Sequence, residues 1–265
     1  MTLIQIITLA IVQGLTECLP VSSSGHLVLV PSLFGWTDQG LVFDVAVHFG
    51  SLVAVCAYFR QDVVAMLRGA VAILTGKFDG PDSRLALALG VGTIPAGLAG
   101  LLFAGWIAAN LRSPYVVIAT LAGYAILLGL ADRFGASERQ MSGITLKDVA
   151  VIGCAQALAL IPGTSRSGVT ITAGLALWFT RHDAARFSFL LSIPVILLAT
   201  IYEVYTLFSH PTALALTDLA LAASVSAVVA YLSIGFFMKF VNVIGLMPFV
   251  LYRLILAAGI YYVLV

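Results

Sequence analysis

Residues 13–26 read Gln13-Gly-Leu-Thr-Glu17-Cys-Leu-Pro20-Val-Ser22-Ser23-Ser24-Gly25-His26, which is a polar turn inside the apolar segment 3–34. Proline ends a helix because it lacks an amide hydrogen and clashes with the preceding turn. Each half of the segment is about 12–16 residues long, whereas a bilayer crossing needs about 20. The stretch therefore predicts a re-entrant helical hairpin, whose irregular backbone must lie inside protein or beside a polar cavity.

A second break lies in segment 148–180, which reads Gln156-Ala-Leu-Ala-Leu-Ile-Pro162-Gly163-Thr164-Ser165-Arg166-Ser167-Gly168 at its centre. Allowing a one-residue gap, Gln, Leu, Pro, Ser and Ser-Gly recur in the same order in both stretches. We interpret 1–265 as a single membrane domain made of two repeats, 1–131 and 147–265, each beginning with a hairpin. The similarity is short, so chance is the alternative.

Composition supports a membrane protein. Of the 265 residues, 61% are hydrophobic and 9% are charged, whereas soluble domains are roughly a quarter charged. Beside the two hairpins we predict an all-α, polytopic bundle of about six transmembrane helices, near 41–59, 85–105, 115–131, 187–206, 217–238 and 246–265. The net charge of +1 gives no basic surface for nucleic acid.

Loop charges predict the orientation of the spans. Loops 60–84 and 132–147 carry the Lys and Arg residues Arg60, Arg68, Lys77, Arg84, Arg133, Arg139 and Lys147. Loops 35–40 and 207–216 carry none, and loop 106–114 carries only Arg112. The positive-inside rule then places the first two loops in the cytoplasm. Six crossings alternate correctly if the first hairpin enters from outside and the second from inside, which makes the repeats inverted.

Four smaller features complete this organisation. Residues 61–76 are expected to form an amphipathic helix at the membrane interface. The small residues Gly92, Ala96, Gly100 and Ala104 favour close helix packing, either within the bundle or between the subunits of a homodimer. Cys18, Cys56 and Cys154 lack metal-ligand spacing and are expected to be small buried hydrophobes. No basic residue precedes Arg60, so the N-terminal stretch is expected to remain in the mature protein.

Four polar residues at the breaks are candidate catalytic groups: Glu17, Ser23, His26 and Arg166. Acidic and basic side chains at membrane depth are costly and mark functional sites, although a structural ion pair is the alternative. A serine nucleophile, a histidine or carboxylate base and an arginine are what phosphoryl transfer needs. In inverted repeats such a site lies where the two breaks meet.

The neighbouring small and hydroxyl residues are candidate phosphate-binding groups. They are Ser22, Ser24, Gly25, Gly163, Thr164, Ser165, Ser167 and Thr170. Helix N-termini with free amides bind anions, and a serine at that position can alternatively cap the helix. The chain has no Walker-type nucleotide loop, which argues against NTP hydrolysis.

The two stretches resemble the paired signatures of the bacterial undecaprenyl-diphosphatase family, also called bacitracin-resistance proteins. The likeness extends over essentially the whole chain, including Phe-Gly-Ser-Leu at 49–52 and Pro-Phe…Tyr-Arg at 248–253. It implies hydrolysis of the polyprenyl diphosphate carrier used in cell-wall synthesis, in the bacterial inner membrane, with the active site facing the periplasm. It also implies a divalent cation, Mg²⁺ or Ca²⁺, held by Glu17 and Gln13; some relatives have Glu at position 13.

Two choices stay open at this point. The nucleophile is either Ser22 or Ser23, and Glu17 is either a general base or a metal ligand. The alternative function is a lipid-carrier flippase or anion transporter, because such proteins also use inverted repeats and broken helices. The grouping of Glu17, Ser23 and His26 favours the enzyme.

Overall fold

The structure, a computed structural model, describes residues 1–111, 113–135, 138–207 and 215–264. Arg112 and most of the predicted loop 207–216 therefore lie outside the described residues. Within the described ranges the chain forms eleven α-helices and two short 3-10 turns, at Met141–Gly143 and Leu158–Leu160. The helices are α1 (Leu3–Thr16), α2 (Ser23–Phe34), α3 (Leu41–Tyr58), α4 (Arg60–Leu74), α5 (Pro81–Asn110), α6 (Pro114–Phe134), α7 (Leu146–Ala157), α8 (Arg166–Ala176), α9 (Arg181–Leu207), α10 (Leu216–Ile244) and α11 (Met247–Leu264).

All six predicted spans are helices. Four of them, α5, α6, α9 and α10, are long and apolar enough to cross a membrane. The other two, α3 and α11, have 18 residues each, which gives a length of about 27 Å against a hydrocarbon core of about 30 Å. The all-α, polytopic membrane fold is confirmed. At Phe59 the chain turns by 89° into α4, which contains residues 61–74 of the predicted interfacial segment 61–76.

Both predicted hairpins are broken where the sequence places the breaks. Helices α1 and α2 flank residues 17–22, and α7 and α8 flank residues 158–165. Each break contains a serine in the left-handed region, Ser22 with φ 71° and Ser165 with φ 69°. Each of these serines stands three residues before a glycine of its motif, Gly25 or Gly168.

Helices from each half of the chain pack against helices from the other half. Helices α1 and α3 pack against α10, whereas α7 and α9 pack against α5. In the same reciprocal way α6 contacts α8, α11 contacts α2, and α6 and α11 pack against each other. Two interlocked repeats would give this pattern, and the repeat boundaries at 131 and 147 stay a prediction.

Ion pairs connect the predicted cytoplasmic segments to one another at one end of the bundle. Arg181 at the start of α9 contacts Asp132 near the end of α6 at 2.5 Å. Arg186, one turn later, contacts Asp62 of α4, also at 2.5 Å. The segments that carry most of the basic residues therefore lie on one side, as the loop charges predict.

Arg139 defines how the second hairpin enters and leaves the bundle. Its guanidinium donates to Asp148 in the first turn of α7 at 2.7 Å and to the Leu177 carbonyl just after α8 at 3.0 Å. Both ends of the hairpin therefore lie at the same end of the bundle, which is the re-entrant arrangement.

The small-residue strip on α5 packs within the bundle at Gly92 and Ala96, which are buried, whereas Ala104 at its end is exposed. A Cβ added at Gly153 of α7 would lie 2.7 Å from the Gly92 carbonyl oxygen, so the two helices need glycine where they cross. The homodimer stays a prediction. Of the cysteines, Cys18 is buried and Cys56 half-buried, but the expectation of burial is wrong for Cys154, which is exposed because it lies on the outer face of α7.

Candidate active site

The two breaks meet inside the bundle. The Arg166 Nη2 atom at the start of α8 donates to Oε1 of Glu17 at 3.1 Å, across 149 positions of sequence. Beside this ion pair, the Ser167 hydroxyl donates to the Leu19 carbonyl at 2.8 Å. Both contacts join the first hairpin to the second, so the two distant polar stretches form one site.

Glu17 is the centre of the site and is 8% exposed. Its Oε2 atom accepts hydrogen bonds from the Ser23 hydroxyl at 2.7 Å and from the Gln13 amide nitrogen at 3.1 Å. Gln13 can reach it because residues four apart share one face of α1. With Arg166 on the other oxygen, the carboxylate accepts hydrogen bonds from three side chains.

The Arg166 side chain forms hydrogen bonds to the first hairpin and to the span α9. Besides Glu17, it donates through Nη1 to the Ser188 carbonyl of α9 at 3.3 Å. A guanidinium carries five N–H donors in one plane. The Arg166 side chain also borders a cavity, of about 260 Å³, that lies beside Glu17. Arg166 can therefore bind phosphate oxygens while its structural partners remain in place.

His26 lies in the first turn of α2, as predicted, but its ring is turned away from Ser23. The Ser22 carbonyl can only accept, so Nδ1 of His26 donates to it, at 2.7 Å. In the neutral ring Nε2 then accepts from the Tyr252 hydroxyl at 2.5 Å, and the two rings are stacked with centroids 5.5 Å apart. Both ring nitrogens are thus bonded to groups other than the Ser23 hydroxyl.

Ser165 and Ser22, the residues before α8 and α2, differ in whether their side chains cap the following helix. Ser165 caps α8 by accepting from the Gly168 amide at 3.1 Å. Ser22 precedes α2 but makes no side-chain cap, so the capping expectation is wrong there; its hydroxyl instead contacts that of Ser24 at 3.2 Å. The first-turn amides of α2 are therefore available to an anion.

Five of the candidate phosphate-binding residues do not border the cavity: Gly25, Gly163, Thr164, Ser167 and Thr170. The Thr170 hydroxyl contacts Ser188 at 2.6 Å and donates to the Arg166 carbonyl at 2.8 Å. Gly163 has φ 86°, and an added Cβ would lie 2.3 Å from Oγ1 of Thr120, so this turn requires glycine. Thr170 and Gly163 therefore support the turn, and phosphate binding by the five residues stays a prediction.

Arg253 of α11, the arginine of the Tyr-Arg pair at 252–253, is a functional candidate that was not among the predicted site residues. It is 0% exposed, and Nη2 donates to the carbonyls of Gly163 at 3.2 Å and Thr164 at 3.0 Å. Its other nitrogens reach the carbonyls of Leu121 at 3.2 Å and Pro20 at 3.5 Å. One guanidinium thus connects both breaks to α6. The available signal was an arginine inside the predicted span 246–265, which is costly in a membrane without partners.

The site opens into a cavity of about 260 Å³. Its polar wall consists of Glu17, Ser22, Ser23, Ser24, His48, Gln156, Ser165 and Arg166. His48 was not among the predicted site residues; Nε2 of its ring lies 3.6 Å from Oε2 of Glu17. In the sequence the only sign of a role for His48 is that a histidine lies within the apolar span 41–59.

The donor set around Glu17 limits the kind of cation it can hold. Among the described residues, no cluster of three or more His, Cys, Asp or Glu side chains could hold a metal ion. The Oε1 atom of Gln13 is buried without a hydrogen-bond partner, which leaves one further hard oxygen beside the carboxylate. Mg²⁺ is commonly bound by one or two carboxylates together with substrate phosphates and water. The residues fit a cation shared with a diphosphate better than one held by protein alone.

Comparisons with known proteins show the family of the chain. The family model described as "Bacitracin resistance protein BacA" matches residues 6–259. A protein named "Undecaprenyl-diphosphatase 2" from Stutzerimonas stutzeri is 55% identical over 261 residues, which cover 97% of each chain. Undecaprenyl-diphosphatases of Hahella chejuensis and Thioalkalivibrio sulfidiphilus are 51% and 53% identical, over 98% and 97% of this chain and 97% of each relative. The chain belongs to the bacitracin resistance protein BacA family.

Proposed function

We propose that this protein is a membrane phosphatase that hydrolyses undecaprenyl diphosphate to undecaprenyl phosphate and inorganic phosphate. This activity recycles the lipid carrier for peptidoglycan synthesis and confers bacitracin resistance. Relatives about half identical over nearly their whole length are named for it. The observation that carries the proposal is the Ser23 hydroxyl, which donates to the Glu17 carboxylate at 2.7 Å while Arg166 holds the other carboxylate oxygen.

In the first step Arg166 and the first-turn amides of α2 bind the terminal phosphoryl group and stabilise its developing charge. Ser23 Oγ attacks the terminal phosphorus, and its proton passes to Glu17. The bond from phosphorus to the bridging oxygen breaks, and its electron pair leaves with undecaprenyl phosphate. Glu17 fits the role of base better than His26, because both His26 ring nitrogens are bonded to Ser22 and Tyr252.

In the second step water attacks the phosphoserine. Its oxygen stays on phosphorus, and the proton that it loses leaves with the phosphate product. The bond from phosphorus to Ser23 Oγ breaks, and the serine recovers its proton from Glu17, which regenerates the starting state. His26 supports this geometry by fixing the backbone of Ser22 one residue before the nucleophile.

The proposal includes a divalent cation, Mg²⁺ or Ca²⁺, which the Gln13 amide oxygen and, while it is ionised, the Glu17 carboxylate would hold together with the diphosphate. When bound, it neutralises charge on the phosphate oxygens. Support comes from the single carboxylate and the unpartnered Oε1 of Gln13. The remaining steps depend on Ser23, Glu17 and Arg166.

Phosphate release by purified protein in detergent tests the proposal. We expect Ser23→Ala to lower kcat by at least about 10³-fold, because the attacking oxygen is removed. Ser32→Ala is the matched control, since Ser32 lies on the same helix α2, is exposed, donates to the Val28 carbonyl and does not border the cavity. A Ser23→Ala enzyme with near-normal turnover would remove Ser23 as nucleophile. An inactive wild type would favour a flippase or anion transporter, which needs two compartments rather than a nucleophile.

We also propose that the protein lies in the inner membrane with its cavity open to the periplasm. The ion-paired basic residues at one end of the bundle support this orientation through the positive-inside rule. Ser24 is exposed and borders the cavity, so a membrane-impermeant maleimide should label Ser24→Cys in spheroplasts above the unsubstituted chain. Labelling only after the membrane is permeabilised would contradict this orientation.

A further inference from the structure

The cavity has two chemically different walls. The rest of its lining, here called the apolar wall, consists of apolar and small side chains from α5, the turn Leu158–Leu160 and α9. They are Ala96, Ala159, Leu160, Val195, Ile196, Ala199 and Thr200. The polar wall suits a diphosphate, and the apolar wall suits hydrocarbon.

The apolar wall reaches the outside of the bundle. Ala199 borders the cavity and is also exposed, so an opening must lie beside it. Val195, Ala199 and Tyr202 follow one face of α9, because residues four and three positions apart share a face, and Tyr202 is 58% exposed. Helices α5 and α9 both have the length and hydropathy of membrane spans, so an opening between them faces lipid.

The polar wall also reaches the outside of the bundle. Ser24 borders the cavity and is exposed, and the His48 side chain is 34% exposed. An amphipathic ligand would therefore have its charged end toward Ser24 and its apolar end toward Ala199.

Volume requires the chain of such a ligand to leave the cavity. Pockets that enclose a drug-sized ligand measure about 300–1,000 Å³, whereas this cavity measures about 260 Å³. It can hold a diphosphate and the first part of a chain, but a long polyprenyl chain must pass through an opening.

We infer that the polyprenyl chain of the substrate leaves the cavity between α5 and α9, across Ala96, Ala159 and Ala199. Ala199 stands at the outer edge of this opening and sets its width. The small side chain is then a requirement of substrate binding rather than of helix packing. This inference rests on the proposed function, because it assigns a path to the chain of that lipid diphosphate.

The test compares Ala199→Trp with Leu198→Trp. Leu198 is the neighbouring residue of α9, is 51% exposed and does not border the cavity, so it controls for a large aromatic side chain on the lipid surface. With undecaprenyl diphosphate in detergent, we expect Ala199→Trp to raise KM at least tenfold and Leu198→Trp to leave it within about twofold. Equal KM values in two active variants would overturn the path, whereas a wild type and a Leu198→Trp variant that both release no phosphate would refute the proposed function instead.

A second measurement works on protein that has already folded. Ala199→Cys is purified, its thermal midpoint is checked against wild type, and it is then alkylated with a bulky maleimide, with Leu198→Cys and the unsubstituted chain treated in parallel. We expect alkylation to inactivate Ala199→Cys alone, and a non-hydrolysable undecaprenyl diphosphonate to slow the labelling. Full activity after complete labelling, or a labelling rate that this analogue does not change, would overturn the inference.

Discussion

Replacing Arg253 by methionine should lower both stability and turnover. Methionine replaces the unbranched stem but has no donors, so four carbonyl groups lose the guanidinium. Three of these bonds are 3.0–3.2 Å long, and a hydrogen bond to a charged group contributes about 1.5–3 kcal/mol. The bond to Pro20, at 3.5 Å, is at the limit of hydrogen bonding.

The loss is smaller than the sum of these bonds. A buried guanidinium itself costs several kcal/mol to desolvate, and the substitution removes that cost. We therefore expect a net loss of about 2–4 kcal/mol, similar to the lower range for breaking a buried charged network. For a chain of this size each kcal/mol lowers the thermal midpoint by about 2–4 °C, so the midpoint should fall by roughly 4–16 °C.

Turnover should fall even well below the midpoint, because Arg253 fixes the carbonyls of Gly163 and Thr164 just before Arg166. The assay measures the thermal midpoint in detergent and kcat at a temperature at which both proteins are folded. Arg253→Lys should recover part of both losses, because an ammonium can still donate to some of the carbonyls. The matched control is Arg68→Met, at an exposed arginine of α4, which should change stability by less than about 0.5 kcal/mol. An Arg253→Met enzyme with an unchanged midpoint and kcat would refute the reasoning.

Three further predictions follow from the same site. Gly163→Ala should lower the thermal midpoint, because the added Cβ would lie 2.3 Å from Thr120 Oγ1 and residue 163 has a positive φ. The control Gly123→Ala should leave the midpoint unchanged, because nothing lies within 4 Å of its added Cβ. Equal midpoints for the two variants would contradict the need for glycine at position 163. Tyr252→Phe removes the hydroxyl that donates to His26 Nε2. It should lower kcat in the phosphate-release assay about fivefold, which corresponds to ~1 kcal/mol. An unchanged kcat would contradict a role for this hydrogen bond in positioning the His26 ring. A chelator should lower phosphate release at least tenfold, with recovery on adding Mg²⁺ or Ca²⁺; full activity in its presence would contradict the cation.

The breaks and the ion pair could be predicted because their signals are local and strong. Proline followed by serines stops a helix in an otherwise apolar segment, and the effect does not depend on the tertiary fold. Glu17 and Arg166 are too costly in a membrane to be without partners, and they are partners of each other. The charged loops likewise predict which segments lie together, because the positive-inside rule acts on short stretches of chain.

The partners of individual polar atoms could not be predicted in the same way. Spacing places Ser23 and His26 on neighbouring turns of α2, yet the Ser23 hydroxyl points to Glu17 and the His26 ring to Tyr252 of α11. Arg253 has only backbone carbonyls among its described hydrogen-bond partners, and any residue type supplies a carbonyl, so no sequence pattern reveals them. Thr170 has the residue type of a phosphate ligand, but packing against Ser188 occupies its hydroxyl.

The resting ion pair also constrains how a phosphoryl group can bind. Breaking a buried pair by removing one partner costs about 3–5 kcal/mol, so a mechanism in which Arg166 swings away from Glu17 would lose much of the binding energy of the substrate. The described contacts of Arg166 use one bond from each terminal nitrogen, to Glu17 and to Ser188, and a guanidinium has five N–H donors. The phosphoryl group can therefore bind the remaining donors while the pair stays intact. That places it beside Glu17, and the Ser23 hydroxyl, already hydrogen-bonded to Glu17, is then the nearest nucleophile.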